Sequence, residues 1–77
     1  MVDVPDPVML DTTGLICPLP ILKAKKAIKS VPAGGQLVVL ATDPGAKPDF
    51  ETFCELGAYS LVEQSERDGV FRFVIQT

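Results

Sequence analysis

The chain has 77 residues, of which 47% are hydrophobic, with two cysteines, no histidine and a net charge of −3. A chain of this size forms one small core, and without histidine it has too few ligands for a zinc site and cannot form a Cys–His nucleophile pair. We therefore expect no metal and no cofactor. The acidic balance also argues against direct nucleic-acid binding, which usually needs a basic surface.

The N-terminal segment, residues 1–7, contains two aspartates and two prolines, which predicts a flexible arm. Residues 8–77 are expected to form a single domain. No segment resembles a secretory signal or approaches the roughly 20 apolar residues needed to cross a bilayer. We expect a cytoplasmic protein without a membrane contact, in a compartment where thiols stay reduced.

A short strand is predicted at residues 8–12, followed by a turn at Gly14 and a Cys-Pro-x-Pro string. A residue before proline favours extended backbone, so Cys17 is predicted as the N-cap of a helix and Pro18 as its first residue. Pro20 removes another N–H that the first turn would leave without a partner. The positive end of the helix favours a thiolate at Cys17. A lone cysteine is more commonly a small buried residue, but the prolines and nearby lysines favour a reactive thiol here.

The first helix is predicted from Pro18 to about Ser30. A spacing of 3.6 residues per turn places one apolar stripe towards the core, formed by Ile21, Ala24, Ala27, Ile28 and Val31. The opposite side carries four of the seven basic residues and two leucines. We interpret part of it as a docking patch for an acidic protein partner, comprising Leu19, Leu22, Lys23 and Lys26.

In the second half of the chain, the sequence predicts a buried strand at residues 36–42 and a turn at 43–45. A second helix is predicted to begin at Pro48-Asp49 and to end near Gly57. On this helix an apolar stripe faces the core, formed by Phe50, Phe53, Cys54 and Gly57. Cys54 is thus predicted as a packing residue. Two strands, 60–66 and 70–76, flank Asp68-Gly69, a strong hairpin signal. In the last strand Phe71, Phe73 and Ile75 are expected on one face.

The element order βαβαββ predicts an α/β two-layer sandwich, in which a four-stranded mixed sheet carries both helices on one face. A strand–helix–strand unit predicts a right-handed parallel crossover. In such a sheet, the loops that lead from strands into helices share one edge. The Asp43-Pro44-Gly45 turn is therefore expected near Cys17.

The chain resembles the TusA/SirA-like family of small sulfur-carrier proteins. The resemblance runs from Leu10 to Ile75, and it rests on Gly14-Leu15-x-Cys17-Pro18-x-Pro20, Ala41-Thr42-Asp43-Pro44, the Phe53-Cys54 pair and the closing Asp-Gly hairpin with its Phe-Arg-Phe strand. It implies that Cys17 accepts sulfane sulfur as a persulfide from a cysteine desulfurase or rhodanese-like donor and passes it to an acceptor protein. Gly14, Pro18 and Pro20 are the supporting motif residues. Ile16 stands where many members carry arginine, which bears on the choice of partners.

Two other functions fit the same cysteine. Cys17 could cycle through sulfenic acid as a redox sensor, or the domain could be a non-catalytic regulatory module in which Cys17 only caps the helix. We expect the free protein to be a monomer. The pathway served, whether tRNA thiolation, cofactor sulfuration or sulfur oxidation, is left open by the sequence.

Overall fold

The structure, a computed structural model, describes residues 7–16 and 19–77, and its elements follow the predicted order βαβαββ. The predicted arm lies outside the described residues except for Pro7, which is exposed. The elements are β1 (Val8–Thr12), α1 (Leu19–Ala27) with a following 3-10 turn (Ile28–Ser30), β2 (Gln36–Ala41), α2 (Ala46–Gly57), β3 (Ser60–Arg67) and β4 (Val70–Gln76).

The four strands form one mixed sheet in the order β1-β2-β4-β3. β1 pairs with β2 in parallel, from Val8 opposite Leu37 to Thr12 opposite Ala41. The other two pairings, β2 with β4 and β3 with β4, are antiparallel. β3 and β4 are joined through Asp68 and Gly69, which have φ values of 52° and 79°. Two successive positive φ values are what a type I′ hairpin turn requires, so this turn is as predicted.

Both helices pack on the same face of the sheet, which confirms the predicted two-layer architecture. The core combines the inward-facing residues of β2 and β4 with Ala24 of α1, Ile28 of the 3-10 turn, and Phe50 and Cys54 of α2. At its centre the Phe50 ring stacks on Phe73, with ring centroids 4.8 Å apart. Such ring pairs stabilise beyond the area they bury.

The second helix begins two residues earlier than predicted, at Ala46 rather than Pro48. The preceding turn explains the difference. The Asp43 C=O accepts the Ala46 N–H at 2.9 Å, and the Asp43 carboxylate accepts the Gly45 N–H at 3.4 Å. Pro48 then falls within the first turn of α2, where a missing N–H costs nothing because the first N–H groups have no partner inside the helix.

The predicted role of Gly57 on the core-facing stripe is wrong, because Gly57 is exposed at the last position of α2. The left-handed residue that ends the helix is Ala58, with φ 58°. The Tyr59 N–H donates to the Cys54 C=O at 2.9 Å and the Ala58 N–H to the Glu55 C=O at 3.5 Å. This is the hydrogen-bond pattern of a Schellman motif, in which glycine usually occupies the left-handed position.

We predict that Ala58→Gly raises the free energy of unfolding by about 0.5–1 kcal/mol, because glycine adopts a positive φ without the steric cost that alanine bears there. Urea denaturation measures the change. The control is Ala33→Gly, in an exposed turn at a negative φ, which should be neutral or destabilising. A fall in stability for Ala58→Gly would contradict the assignment of Ala58 to the left-handed position.

Candidate functional site

The segment that leads from β1 towards α1 is tied to the end of β2 by backbone geometry. Gly14 has φ 81°, which glycine adopts freely, and its N–H donates to Oγ1 of Thr42 at 2.8 Å. The Leu15 N–H donates to the Thr12 C=O at 3.2 Å. The buried Thr12 hydroxyl in turn donates to the C=O of Leu40 on β2. The turn before the cysteine therefore has a fixed position relative to β2.

Aspartates close similar turns at the ends of both parallel strands. The Asp11 carboxylate accepts hydrogen bonds from the Thr13 hydroxyl at 2.7 Å and from the Thr13 N–H at 2.9 Å. These two bonds, the hydroxyl first, lower the pKa of Asp11. Asp43 makes the equivalent bond to the Gly45 N–H. A side-chain oxygen that accepts a hydrogen bond from the backbone N–H two residues later stabilises a turn. Each of the two parallel strands therefore ends in a stabilised turn, which leads into the segment before a helix.

Cys17 and Pro18 lie outside the described residues, as does the predicted N-cap geometry. The flanking residues are described. Ile16 is 71% exposed, and its C=O accepts the N–H of Leu19, the first residue of α1, at 2.9 Å. Gly14 and Ile16 thus lie on the chain just before Cys17, at the sheet edge where β1 and β2 end. The Gly14–Thr42 hydrogen bond brings together the segments that follow β1 and β2. The expected position of the Asp43-Pro44-Gly45 turn near Cys17 stays a prediction.

Pro20 has a second role that its position in the motif did not reveal, because it is fully buried. From the sequence, Pro20 is expected only to remove an N–H that would have no partner in the first turn. Its ring is also removed from solvent in the first turn of α1, and proline brings no backbone N–H that would need a partner there. Pro20 therefore contributes to packing as well as to the helix start.

The four residues of the predicted docking patch are all exposed, but they do not share one concave surface. Leu19 is 46% and Leu22 51% exposed. Leu22 and Lys26 line a groove between α1 and α2, whereas Leu19 and Lys23 lie outside it. The helical spacing predicted exposure correctly, and the docking role stays a prediction.

The second cysteine, Cys54, is buried in the core with 4% of its surface exposed, in agreement with its predicted packing role. Burial raises the pKa of the Cys54 thiol. Fewer thiolates form at neutral pH when the pKa is raised, and the thiolate is the nucleophile. Burial and the raised pKa together predict low reactivity of Cys54 in the folded protein.

Within residues 7–16 and 19–77, no three metal-binding side chains of His, Cys, Asp or Glu lie close enough to hold an ion. In the same part of the chain no helix has the length and apolar character needed to span a membrane.

Comparison with known proteins identifies the family. The sequence profile of the family described as Sulfurtransferase TusA matches residues 8–77. The chain belongs to the TusA family. It is 57% identical over 67 residues to a putative sulfur carrier protein of Neisseria meningitidis, covering 87% of this chain and 90% of that protein. It is 46% identical to the sulfur carrier protein TusA of Allochromatium vinosum, over 87% and 88% of the two chains.

The fold agrees with a solved TusA relative. The crystal structure of a SirA-like protein from Desulfitobacterium hafniense superposes with a TM-score of 0.81 at 30% identity, covering 91% of this chain and 96% of the other. The resemblance read from the motifs and the predicted fold class are both confirmed. Thr42 is the site residue whose role sequence reasoning missed, although Ala41-Thr42-Asp43-Pro44 was among the stretches that carried the resemblance.

We predict that Thr42→Val exposes the Gly14 N–H to exchange, because valine keeps the shape of threonine but removes the accepting oxygen. Native-state amide hydrogen exchange measures the protection of Gly14, which should fall. Thr42→Ser restores a hydroxyl and should restore protection. Equal protection of Gly14 in the valine and serine variants would show that this hydrogen bond does not hold the turn.

We also predict that alkylation of the native protein labels Cys17 long before Cys54, since Cys54 is buried with a raised pKa. Cys54→Ala should cost about 1 kcal/mol of stability, as expected for a small core truncation. Peptide mapping after a timed exposure to iodoacetamide gives the order of labelling. Equal labelling rates would make Cys54 a candidate second thiol of the relay.

Proposed function

We propose that this TusA-family protein carries sulfane sulfur as a persulfide on Cys17 and relays it to a partner protein. The observation that carries the proposal is the family match over residues 8–77, which includes the Cys-Pro-x-Pro string. Relatives that match most of their own length are named sulfur carriers. The described start of α1 at Leu19, two residues after Cys17, supports a thiol close to a helix end, where a thiolate is favoured.

The proposed chemistry is two successive thiol exchanges. The Cys17 thiolate attacks the terminal sulfur of a donor persulfide, the donor S–S bond breaks, and the donor cysteine leaves as a thiolate. Cys17 then carries the persulfide. In the second exchange an acceptor thiolate attacks the terminal sulfur of Cys17, and the Cys17 thiolate leaves. Each exchange moves one neutral sulfur atom and needs no added oxidant or reductant.

The relay needs two protein partners, a donor such as a cysteine desulfurase or rhodanese-like protein and an acceptor with its own cysteine. We propose that it takes place in the cytoplasm, with the free carrier a monomer. The exposed patch of Leu19, Leu22, Lys23 and Lys26 is the proposed contact for partners with acidic surfaces. Electrostatic attraction of this kind raises association rates and weakens with salt.

The redox-sensor alternative has less support than the relay. A sensor cysteine commonly condenses with a resolving thiol, and the second thiol of this chain, Cys54, is 4% exposed within the core.

We predict that Cys17→Ser remains folded, because serine is a good N-cap residue, and that it fails to gain sulfur. Intact mass spectrometry after incubation with a cysteine desulfurase and cysteine should show one added sulfur atom on the wild type and none on the variant. Cys54→Ala is the matched control and should load sulfur like the wild type at a temperature where it stays folded. Sulfur on the serine variant would refute Cys17 as the carrier, and added oxygen under peroxide without sulfur uptake would favour the sensor.

A further inference from the structure

An open groove lies between the two helices. Its volume is about 820 Å³. The apolar lining comes from α1 and its 3-10 turn on one side and from α2 and the residue after Ala58 on the other: Ile21, Leu22, Ile28, Phe53, Leu56 and Tyr59. Leu56 is 83% exposed, although it lies beside an aromatic pair, Phe53 and Tyr59, whose centroids are 5.5 Å apart. An exposed leucine on an apolar concave surface marks an interaction site more clearly than one on a flat polar surface.

The charges around the groove are arranged asymmetrically. Lys25, Lys26 and Lys29 lie along the α1 side, which places three of the seven basic residues of an otherwise acidic chain on one rim. None of the three forms an ion pair within 4 Å among the residues that the structure describes. On the opposite side the groove is lined by Asp49 and Thr52 of α2. An occupant with negative charge on the α1 side would be attracted to this rim.

We infer that this groove binds an acidic amphipathic helix of a partner protein. The lining runs from Ile21 on α1 to Lys29 in the 3-10 turn that follows it, about 12 Å at 1.5 Å per residue, which is the length of two to three helical turns. A helix laid in such a groove anchors itself by apolar residues at i, i+3, i+4 and i+7. Its flanking carboxylates would meet the lysine rim, while its apolar stripe covers Leu22 and Leu56.

Two other occupants fit the surface less well. A second copy of this chain has no spare helix within its described residues, because α1 and α2 both pack on their own sheet. A nucleic acid would need exposed aromatic rings for base stacking. Phe53 and Tyr59 are instead half-buried against each other, and the exposed apolar side chains of the groove, Leu22 and Leu56, are aliphatic.

The position of the groove relates it to the proposed relay. Both helices follow strands that end on the same side of the sheet, and the α1 side of the groove begins at Ile21, two residues after the start of α1 at Leu19. Leu22 is five residues from Cys17 in sequence. The inference depends on the proposed function only in assigning the helix to a sulfur donor or acceptor, and binding itself can be measured without any sulfur chemistry.

The direct test uses a synthetic peptide of about 18 residues, long enough to form a helix, with leucine at i, i+3, i+4 and i+7 and glutamate on both flanks. Amide chemical shifts of the labelled protein report where it binds. We expect changes centred on Leu22, Thr52 and Leu56. A peptide with lysine in place of glutamate, and one of the same composition with its leucines spread around the helix, should bind at least tenfold more weakly.

Substitutions in the protein locate the surface. Leu56→Glu should weaken peptide binding by about tenfold or more, since it replaces an apolar contact with a charge. The matched control is Val62→Glu, also an exposed apolar residue but on β3, which should leave binding unchanged. Lys25→Glu with Lys29→Glu should weaken binding several-fold at low salt and less at high salt. Lys47→Glu, an exposed lysine outside the groove, is the control for charge.

The inference would be overturned by equal binding of the acidic, basic and scrambled peptides, or by chemical-shift changes confined to the outer face of the sheet. Tighter binding of a single-stranded RNA oligonucleotide than of the acidic peptide, or self-association of the protein through the groove, would also overturn it. The two proposals fail separately. Loss of peptide binding leaves sulfur loading of Cys17 by a desulfurase as an independent measurement. Failure of Cys17 to load sulfur leaves the peptide titration unaffected.

Discussion

The parallel pairing of β1 with β2 is the constraint on which the rest of the structure depends. Parallel neighbours cannot be joined by a tight turn, so the chain must cross over the sheet, and a helix makes that crossing. Both strands consequently end at one edge, where Gly14 meets Thr42 across 28 residues of sequence. Both helices start from that edge on the same face, and the groove between them follows from this arrangement.

Local sequence signals predicted the elements whose boundaries depend on local chemistry. β1 and β4 have the predicted bounds, and Asp68-Gly69 forms the predicted turn, because alternation and turn residues act over a few positions. The start of α2 was misplaced because a proline suits several positions in a first turn. The left-handed Ala58 could not be predicted, since alanine has no preference for that conformation. The position at which α2 ends depends on the hydrogen bonds that the Tyr59 and Ala58 N–H groups donate to its last turn.

Some features of the candidate site could likewise be predicted from nearby residues in the sequence, whereas others depend on contacts between distant parts of the chain. Periodicity on α1 separated buried from exposed residues, and the Cys-Pro-x-Pro string identified the motif around Cys17. Periodicity on one helix cannot show which exposed residues share a concave surface, because that depends on where the other helix lies. Leu22 and Lys26 therefore line the groove, and Leu19 and Lys23, equally exposed, do not. The acceptor role of Thr42 is likewise a long-range contact.

The position of β1 at the edge of the sheet has a consequence for local opening of the fold. β1 is hydrogen-bonded to β2 on one side, whereas β2 and β4 each have strand neighbours on both sides. An edge strand has hydrogen bonds to one neighbour instead of two, so we expect local opening of β1 to cost less free energy than opening of β2 or β4. The segment that contains Cys17 follows directly from β1. The proposed sulfur-carrying segment is therefore continuous with one of the two edge strands of the sheet, and partner binding that holds β1 in place would stabilise the fold at the same time.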